Sequence, residues 1–293
     1  MSSTSGVVNI NGVISPIADG RISVLDHGFL FGDNIYETLR TYRGKPFLFF
    51  RHFARLERSA QAIFLTLPWD RVRTHAEVLK TIATAQQSGQ REHRIRITIT
   101  RGIGDIGPDP GTCDSANAVI FATPFTEIPA SVYDNGVDVV VSSFYRSRQL
   151  GDAKTGNLLR AVLAIREAKA ANAFEAITLT ADGKISDGIT SNLWLVQGNR
   201  LLTPSIASGI LEGITRAVVL DLARRAGLDV VEDVLDLSEV DTSSELFLTS
   251  STREIVPIVR VAGKPVGTGR PGPVFTRLLE AYRREVDVLL RED

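Results

Sequence analysis

Lys154-Thr155-Gly156-Asn157, followed by Leu158-Leu159-Arg160-Ala161, is the stretch around which the rest of this chain can be interpreted. A lysine becomes an amine nucleophile, or forms a Schiff base with a carbonyl compound, when its surroundings disfavour the charged form. Most lysines near the start of a helix are instead solvated. Lys154 alone therefore indicates no chemistry, and three other stretches, 52–56, 186–192 and 211–216, decide its interpretation.

The composition is that of a globular protein with one large domain or two of ordinary size, since the 293 residues are 43% hydrophobic and 23% charged. A net charge of −1 gives no basic field for nucleic acid or an acidic membrane face. The single cysteine, Cys113, excludes an intrachain disulfide and a Cys-rich metal site. No apolar segment approaches the roughly 18 residues that span a bilayer, and no secretory leader is recognisable. We therefore expect a soluble cytoplasmic protein with no nucleic-acid, membrane or metal partner.

The first half alternates between strand and helix patterns. Residues 7–14 surround an Asn-Gly pair and predict a hairpin, and residues 35–42 and 94–100 alternate like strands. Apolar residues between 53 and 64 recur at helical spacing, and Asp70 is placed to cap a second helix. Residues 124–136 lack periodicity, so we predict a smaller N-terminal domain over 1–123, a linker over 124–136 and a larger C-terminal domain over 137–293.

Residues 102–107 match the pattern G-x-G-x-x-G directly after a predicted strand. The dinucleotide-binding motif requires a helix to begin at its last glycine. Here Pro108 and Pro110 follow at once, and proline is not tolerated in a helix interior. The stretch therefore predicts a loop at the mouth of a site, not a dinucleotide-binding turn.

Three stretches in the second half carry polar groups suited to an anion or a cofactor. Asp187-Gly188 precedes a strand and is equally compatible with a simple turn. Gly213 stands just ahead of a predicted helix, where free N–H groups favour a phosphate, although a plain glycine cap is an equally good interpretation. Four hydroxyl residues, 249–252, follow a strand and offer further donors.

Taken together and in this order, these motifs resemble the class IV, or fold-type IV, family of pyridoxal-phosphate enzymes, over nearly the whole chain. By that resemblance, Lys154 is the catalytic Schiff-base lysine and Arg55, in His-Phe-Ala-Arg-Leu, binds the cofactor phosphate. Asp187 stands where the family has a glutamate facing the pyridine nitrogen. The resemblance implies these further cofactor-binding residues: Leu211, Ile214, Thr215, Ser251 and Thr252. It implies these substrate-binding residues: Tyr36, Arg40, Arg94 and Arg96.

The resemblance also implies the architecture: an α/β (α+β) fold of two domains with pyridoxal 5′-phosphate between them, in a homodimer or higher homo-oligomer. The activity implied is transfer of an amino group between an amino acid and a 2-oxo acid. A lyase with the same cofactor, of the aminodeoxychorismate lyase kind, and a catalytically weak cofactor-binding protein are the alternatives.

Several features of the sequence bear on the substrate, and they point in two opposite directions. Residues 26–33 and 213–216 are similar to the branched-chain group, and the Arg-x-His pair with which D-amino acid enzymes grip a carboxylate is missing after Thr100-Arg101-Gly102. Leu158, however, stands where many branched-chain enzymes have a tyrosine and D-amino acid enzymes have leucine. We expect branched-chain L-amino acids with 2-oxoglutarate, and D-amino acids as the alternative.

Overall fold

The computed structural model describes residues 5–145 and 153–291, which form two compact units. Unit 1 comprises the described parts of Met1–Thr126, Ala153–Asn157 and Leu289–Asp293. Unit 2 comprises the described parts of Glu127–Asp152 and Leu158–Val288. None of the helices in the described ranges has both the length and the apolar character needed to cross a membrane.

Unit 1 is built on an antiparallel sheet with the strand order β2-β1-β6-β5-β3-β4. The strands are β1 Val7–Ile10, β2 Val13–Pro16, β3 Asn34–Tyr42, β4 Lys45–Pro46, β5 His93–Thr100 and β6 Asn117–Pro124. The helices are the short α1 His27–Leu30, then α2 Phe49–Ala62 and α3 Arg71–Gln86, with 3-10 turns at Ile17–Asp19 and Pro110–Thr112.

The alternation that predicts the strands also decides which sheet face is buried. Ile35 and Leu39 of β3 share one face with Ile95, Ile97 and Ile99 of β5, and these side chains belong to one core with the apolar residues of α2 and α3. The predicted Asn-Gly hairpin is confirmed, since Ile10 pairs with Val13 across the two-residue turn.

Unit 2 is built on a mixed nine-stranded sheet with the order β12-β11-β10-β13-β14-β7-β8-β9, and β15 pairs with β14. The strands are β7 Val137–Val141, β8 Glu175–Leu179, β9 Ile185–Gly188, β10 Asn192–Gln197, β11 Arg200–Pro204, β12 Asp229–Asp233, β13 Glu245–Ser250, β14 Glu254–Val261 and β15 Lys264–Pro265. The helices are α4 Ala130–Asn135, α5 Leu159–Ala170, α6 Ile214–Arg225, α7 Glu239–Thr242 and α8 Pro273–Leu289, with a 3-10 turn at Ile206–Ser208.

The observed units differ from the predicted domain boundaries in three places, and one of them is that the described residues of Leu289–Asp293 group with unit 1. The segment 124–136, predicted to be an interdomain linker, contains α4, and the boundary between the two units falls within it. Residues 153–157 group with unit 1, although the predicted C-terminal domain included them. The physical reason is that this segment is hydrogen-bonded to β3, whereas α5 begins only at Leu159. Lys154 therefore lies in an extended segment and not in a helix.

The glycine-rich loop after β5 behaves as the prolines predict. No helix begins at Gly107, and the next helical turn is the three-residue stretch Pro110–Thr112. Gly102 has φ +100°, and a Cβ there would lie 1.8 Å from the Ser115 carbonyl oxygen. This glycine is required by a close backbone approach within the loop.

Asp70 caps α3, as the sequence predicts, because its side chain accepts a hydrogen bond from the Arg73 N–H at 2.8 Å. We expect Asp70→Ala to lower the free energy of unfolding by about 0.5–2 kcal/mol, since one N–H at the helix start loses its acceptor. Asp70→Asn keeps an oxygen acceptor and should be nearly neutral. Urea unfolding monitored by circular dichroism measures both, and equal stability of the Ala variant would contradict the capping role.

Candidate active site

The segment that carries Lys154 lies alongside the first half of β3. The Tyr36 N–H donates to the Lys154 carbonyl at 2.9 Å, and the Gly156 N–H donates to the Asn34 carbonyl at 2.9 Å. The Lys154 N–H in turn donates to the Ser59 hydroxyl of α2 at 3.0 Å. A Cβ on Gly156 would lie 1.9 Å from the Asn34 side-chain oxygen, so only glycine permits this approach. The backbone of Lys154 is thereby fixed between β3 and α2.

The amine of Lys154 lies against Tyr36. Its Nζ is 3.4 Å from the Tyr36 hydroxyl oxygen and 4.4 Å from the centre of the ring. Burial lowers the pKa of Lys154 below that of an ordinary lysine, and the positive charge of Arg55 lowers it further. Tyr36 and Glu37 act in the opposite direction but do not cancel these effects. A neutral, nucleophilic amine is therefore more accessible at Lys154 than at an exposed lysine.

A buried carboxylate, Glu37, holds the side chains of Arg55 and His52 on α2. Arg55 donates from Nε to one Glu37 oxygen at 2.8 Å and from Nη2 to the other at 2.7 Å, and His52 Nδ1 lies 2.7 Å from Glu37 Oε2. Burial alone would raise the pKa of Glu37, but Arg55 and His52 outweigh it and hold this pKa far below the usual range. Burial, with the charges of Arg55 and Lys154, lowers the pKa of His52, so its ring is neutral near pH 7.

Arg55 is thus not part of a solvated face. The helical spacing puts Arg55 on the same side of α2 as Arg51 and Arg58, and both of those side chains are exposed. Arg55 is nevertheless buried, with only 3% of its surface exposed. Glu37 is the residue that sequence reasoning missed. The available signal was a carboxylate on the apolar face of a strand, between Ile35 and Leu39 and opposite Ile97.

The four predicted substrate-binding residues share the other face of the same sheet. The strand register pairs Tyr36 with Thr98, Thr38 with Arg96, and Arg40 with Arg94, so their side chains project to one side. The Arg96 guanidinium lies 3.8 Å over the centre of the Tyr36 ring. Arg40 is buried, with its guanidinium 3.8 Å from the Phe125 ring centre, whereas Arg94 is exposed. Arg96 therefore contacts Tyr36, and through it the Lys154 amine.

In unit 2, Asp187 is the centre of a second group of predicted residues. Its carboxylate is 1% exposed and accepts two hydrogen bonds from the Asn192 amide at 3.0 and 3.1 Å. It also accepts one from the Leu211 N–H at 3.2 Å, and the Asn192 amide donates to the Leu211 carbonyl at 2.8 Å. The Thr178 hydroxyl donates to the Asp187 carbonyl at 2.8 Å. Asn192, a residue to which the sequence assigned no role, thus links Asp187 to Leu211.

The start of α6 offers backbone donors beside this group. Gly213 is the cap residue, and across residues 5–145 and 153–291 the helix start shows no hydrogen bond to a capping side chain. A Cβ on Gly213 would lie 1.9 Å from the Asn192 side-chain oxygen, so a larger residue is excluded. Ile214 and Thr215 are the first two helical residues and are buried. The helix start therefore keeps N–H groups available for an anion.

The hydroxyl-rich turn, which we define as residues 250–252, begins at the last residue of β13 in the same unit. Ser251 and Thr252 are partly buried. The neighbouring Thr249 pairs with Asn192 in the strand register and accepts a hydrogen bond from the Trp194 ring N–H at 3.0 Å. The predicted residues are thus brought together in two groups, one within each unit.

The chain is similar to known aminotransferases over most of its length. Residues 34–261 match the model of the amino-transferase class IV family. A putative branched-chain-amino-acid aminotransferase of Methanocaldococcus jannaschii is 33% identical over 279 residues, which cover 94% of this chain and 95% of that protein. A D-alanine aminotransferase of Bacillus licheniformis is 29% identical, over 95% of this chain and 96% of that one.

A solved structure gives the same fold. The branched-chain amino acid aminotransferase of Escherichia coli matches with a TM-score of 0.89 at 29% identity, over 96% of this chain and 94% of that chain. The mixed α/β fold expected from the resemblance is confirmed. Because the family model matches most of the chain and these relatives match nearly all of it, this chain belongs to the class IV aminotransferases, which are pyridoxal-phosphate-dependent transaminases.

Proposed function

We propose that this transaminase transfers the amino group of branched-chain L-amino acids to a 2-oxo acid such as 2-oxoglutarate. The single observation that carries the catalytic part is the environment of Lys154, whose amine contacts Tyr36 and has a lowered pKa. The observation that carries the substrate part is the similarity to the putative branched-chain enzyme of Methanocaldococcus jannaschii, together with the missing Arg-x-His pair.

The residues present fit pyridoxal 5′-phosphate. Within the described part of the chain, the cap residue of α6, Gly213, brings no side chain that accepts from the first N–H groups of the helix, which can therefore bind a phosphate. Asp187 is a buried carboxylate held by amide donors, as a partner for a protonated ring nitrogen must be. We propose that Lys154 binds the aldehyde carbon, that Arg55, Ile214, Thr215, Ser251 and Thr252 bind the phosphate, and that Leu211 packs on the ring.

The chemistry divides between the cofactor and the chain. When bound, pyridoxal phosphate supplies a ring that stabilises negative charge at the α carbon of the substrate. Nζ of Lys154, once free, would accept the proton from the α carbon of the amino donor and carry it to the cofactor carbon that receives the amino group. Its lowered pKa suits this task, because a protonated amine could not accept a proton. Asp187 would keep the ring nitrogen protonated.

Arg96 fits best as the residue that binds a substrate carboxylate. It lies over Tyr36, whose hydroxyl contacts the Lys154 amine. A guanidinium offers a carboxylate two parallel hydrogen bonds. The buried Arg40 guanidinium lies 4.1 Å from the centre of the Tyr42 ring and 3.8 Å from that of the Phe125 ring, and it is placed to support the sheet face that carries Arg96.

We further propose a homodimer, for which Phe29 and Phe31, exposed at 65% and 40%, supply an apolar surface.

A D-amino acid aminotransferase is the second candidate, supported by Leu158 and by the similarity to a D-alanine aminotransferase. An apolar pocket discriminates side chains by only about 1–3 kcal/mol per methylene, so a range of substrates is expected with either stereochemistry. A lyase acting on aminodeoxychorismate would release pyruvate from its own substrate without consuming a 2-oxo acid.

The amine of Lys154 should titrate below the ordinary lysine pKa of about 10.4 in cofactor-free protein. Competitive acetylation as a function of pH, read by peptide mass spectrometry, gives its titration midpoint. Glu37→Gln should lower the midpoint further, because the Glu37 charge raises the pKa of Lys154. Tyr36→Phe removes the hydroxyl contact and should act in the same direction. A midpoint at or above the ordinary value would contradict this environment.

The purified enzyme with pyridoxal phosphate should convert 2-oxoglutarate to glutamate faster with L-leucine, L-isoleucine or L-valine than with the D enantiomers. Half-reactions with paired enantiomers, followed by the absorption of the bound cofactor, measure this directly. A faster D series would overturn the substrate proposal and leave the transaminase assignment standing. Lys154→Ala is the control and should show no conversion with either series.

A further inference from the structure

Arg253 joins the hydroxyl-rich turn to a different segment of unit 2. On its own turn, its Nε donates to the Ser250 hydroxyl at 3.1 Å. Outside its own turn, Nη1 of Arg253 donates to Glu175 Oε2 at 2.5 Å, and Nη2 donates to the Thr190 hydroxyl at 2.7 Å. The fork of the guanidinium thus makes contacts in three directions, which a lysine ammonium cannot reproduce with the same geometry.

Glu175 receives this fork from a buried position at the start of β8. It is 3% exposed, and its Oε1 accepts hydrogen bonds from the Thr190 N–H at 2.7 Å and the Ser191 hydroxyl at 2.9 Å. A Cβ on Gly188 would lie 2.9 Å from this oxygen and 2.2 Å from the Ser191 hydroxyl. The carboxylate therefore fixes the segment that directly follows Asp187, and the small Gly188 allows it to do so.

We propose that Arg253 is a positioning residue for the cofactor phosphate, acting through Ser251 and Thr252. This inference rests on the proposed function, in which those two residues bind the phosphate. Asp187 is held independently by Asn192 and Leu211. Removing the fork therefore releases the hydroxyl-rich turn, while the carboxylate that faces the ring nitrogen stays in place.

Arg253 does not act as a binding residue for the substrate. Its Nε, Nη1 and Nη2 all donate to protein oxygens, and its main-chain carbonyl accepts a hydrogen bond from the Tyr133 hydroxyl at 3.2 Å. A substrate carboxylate would have to displace the buried Glu175 from this guanidinium, leaving a buried charge without its partner, which is strongly unfavourable.

The test compares the binding of pyridoxal 5′-phosphate and of pyridoxal, which lacks the phosphate, to cofactor-free protein. Arg253→Lys keeps the charge opposite Glu175 but loses the fork. The double variant Arg253→Gln with Glu175→Gln removes both charges, while the glutamine oxygen can still accept from Thr190 and Ser191. In both we expect the Kd of pyridoxal phosphate to rise at least about tenfold and that of pyridoxal less than about threefold.

Thermal unfolding of the cofactor-free variants separates positioning from general stability. Arg253→Gln alone leaves Glu175 buried without its cation and should lower the Tm clearly. The double variant should regain most of that loss without regaining the affinity for pyridoxal phosphate. Recovery of stability and affinity together would show a purely structural role and overturn the inference, as would equal changes for the two ligands.

Two controls keep the inference distinct from the proposed function. Arg225→Gln breaks an ion pair between Arg225 and Glu285 in the same unit, at 2.7 Å, and should leave both Kd values unchanged. If the wild-type protein does not bind pyridoxal phosphate, the proposed function fails. If the wild type binds it and the Arg253 variants bind it equally well, only the positioning role fails.

Discussion

The buried carboxylate of Glu37 is the interaction on which the arrangement of unit 1 depends. It stands on the apolar face of β3 and accepts hydrogen bonds from Arg55, at 2.7 and 2.8 Å, while His52 lies 2.7 Å away. Breaking such a buried pair by removing one partner costs about 3–5 kcal/mol in other proteins, because the remaining charge is left unpaired. The pair therefore fixes α2 on the sheet and keeps a guanidinium beneath the surface beside Lys154.

A second constraint acts in both groups of site residues: a main-chain segment must lie very close to a side chain of another segment. Gly156 lets the Lys154 segment pair with β3, and Gly213 lets α6 begin beside Asn192. In each case the glycine brings a main chain against an asparagine side chain, of Asn34 and Asn192 respectively. The Lys154 segment and the start of α6, for which we propose the catalytic and the phosphate-binding roles, are thus both positioned by close backbone contacts.

Local structure was predictable from the sequence where interactions between residues close in sequence determine it. Strand alternation, the Asn-Gly turn, the cap at Asp70 and the prolines after the glycine-rich loop all act within a few residues. The partners of the site residues were not predictable, because they are distant along the chain: Tyr36 and Lys154 are 118 residues apart, and Glu175 and Arg253 are 78 apart. Periodicity placed Arg55 with its exposed neighbours for the same reason, since only the folded sheet brings Glu37 beneath α2.

The central claim is that Lys154 is the residue that carries the cofactor, and chemical trapping tests it most directly. The protein is saturated with pyridoxal 5′-phosphate, reduced with borohydride, digested and mapped by mass spectrometry. The account predicts one cofactor mass per chain, located on the peptide that contains Lys154, and no fixed cofactor in Lys154→Ala. A cofactor fixed on any other lysine, or equal labelling of the variant, would contradict it.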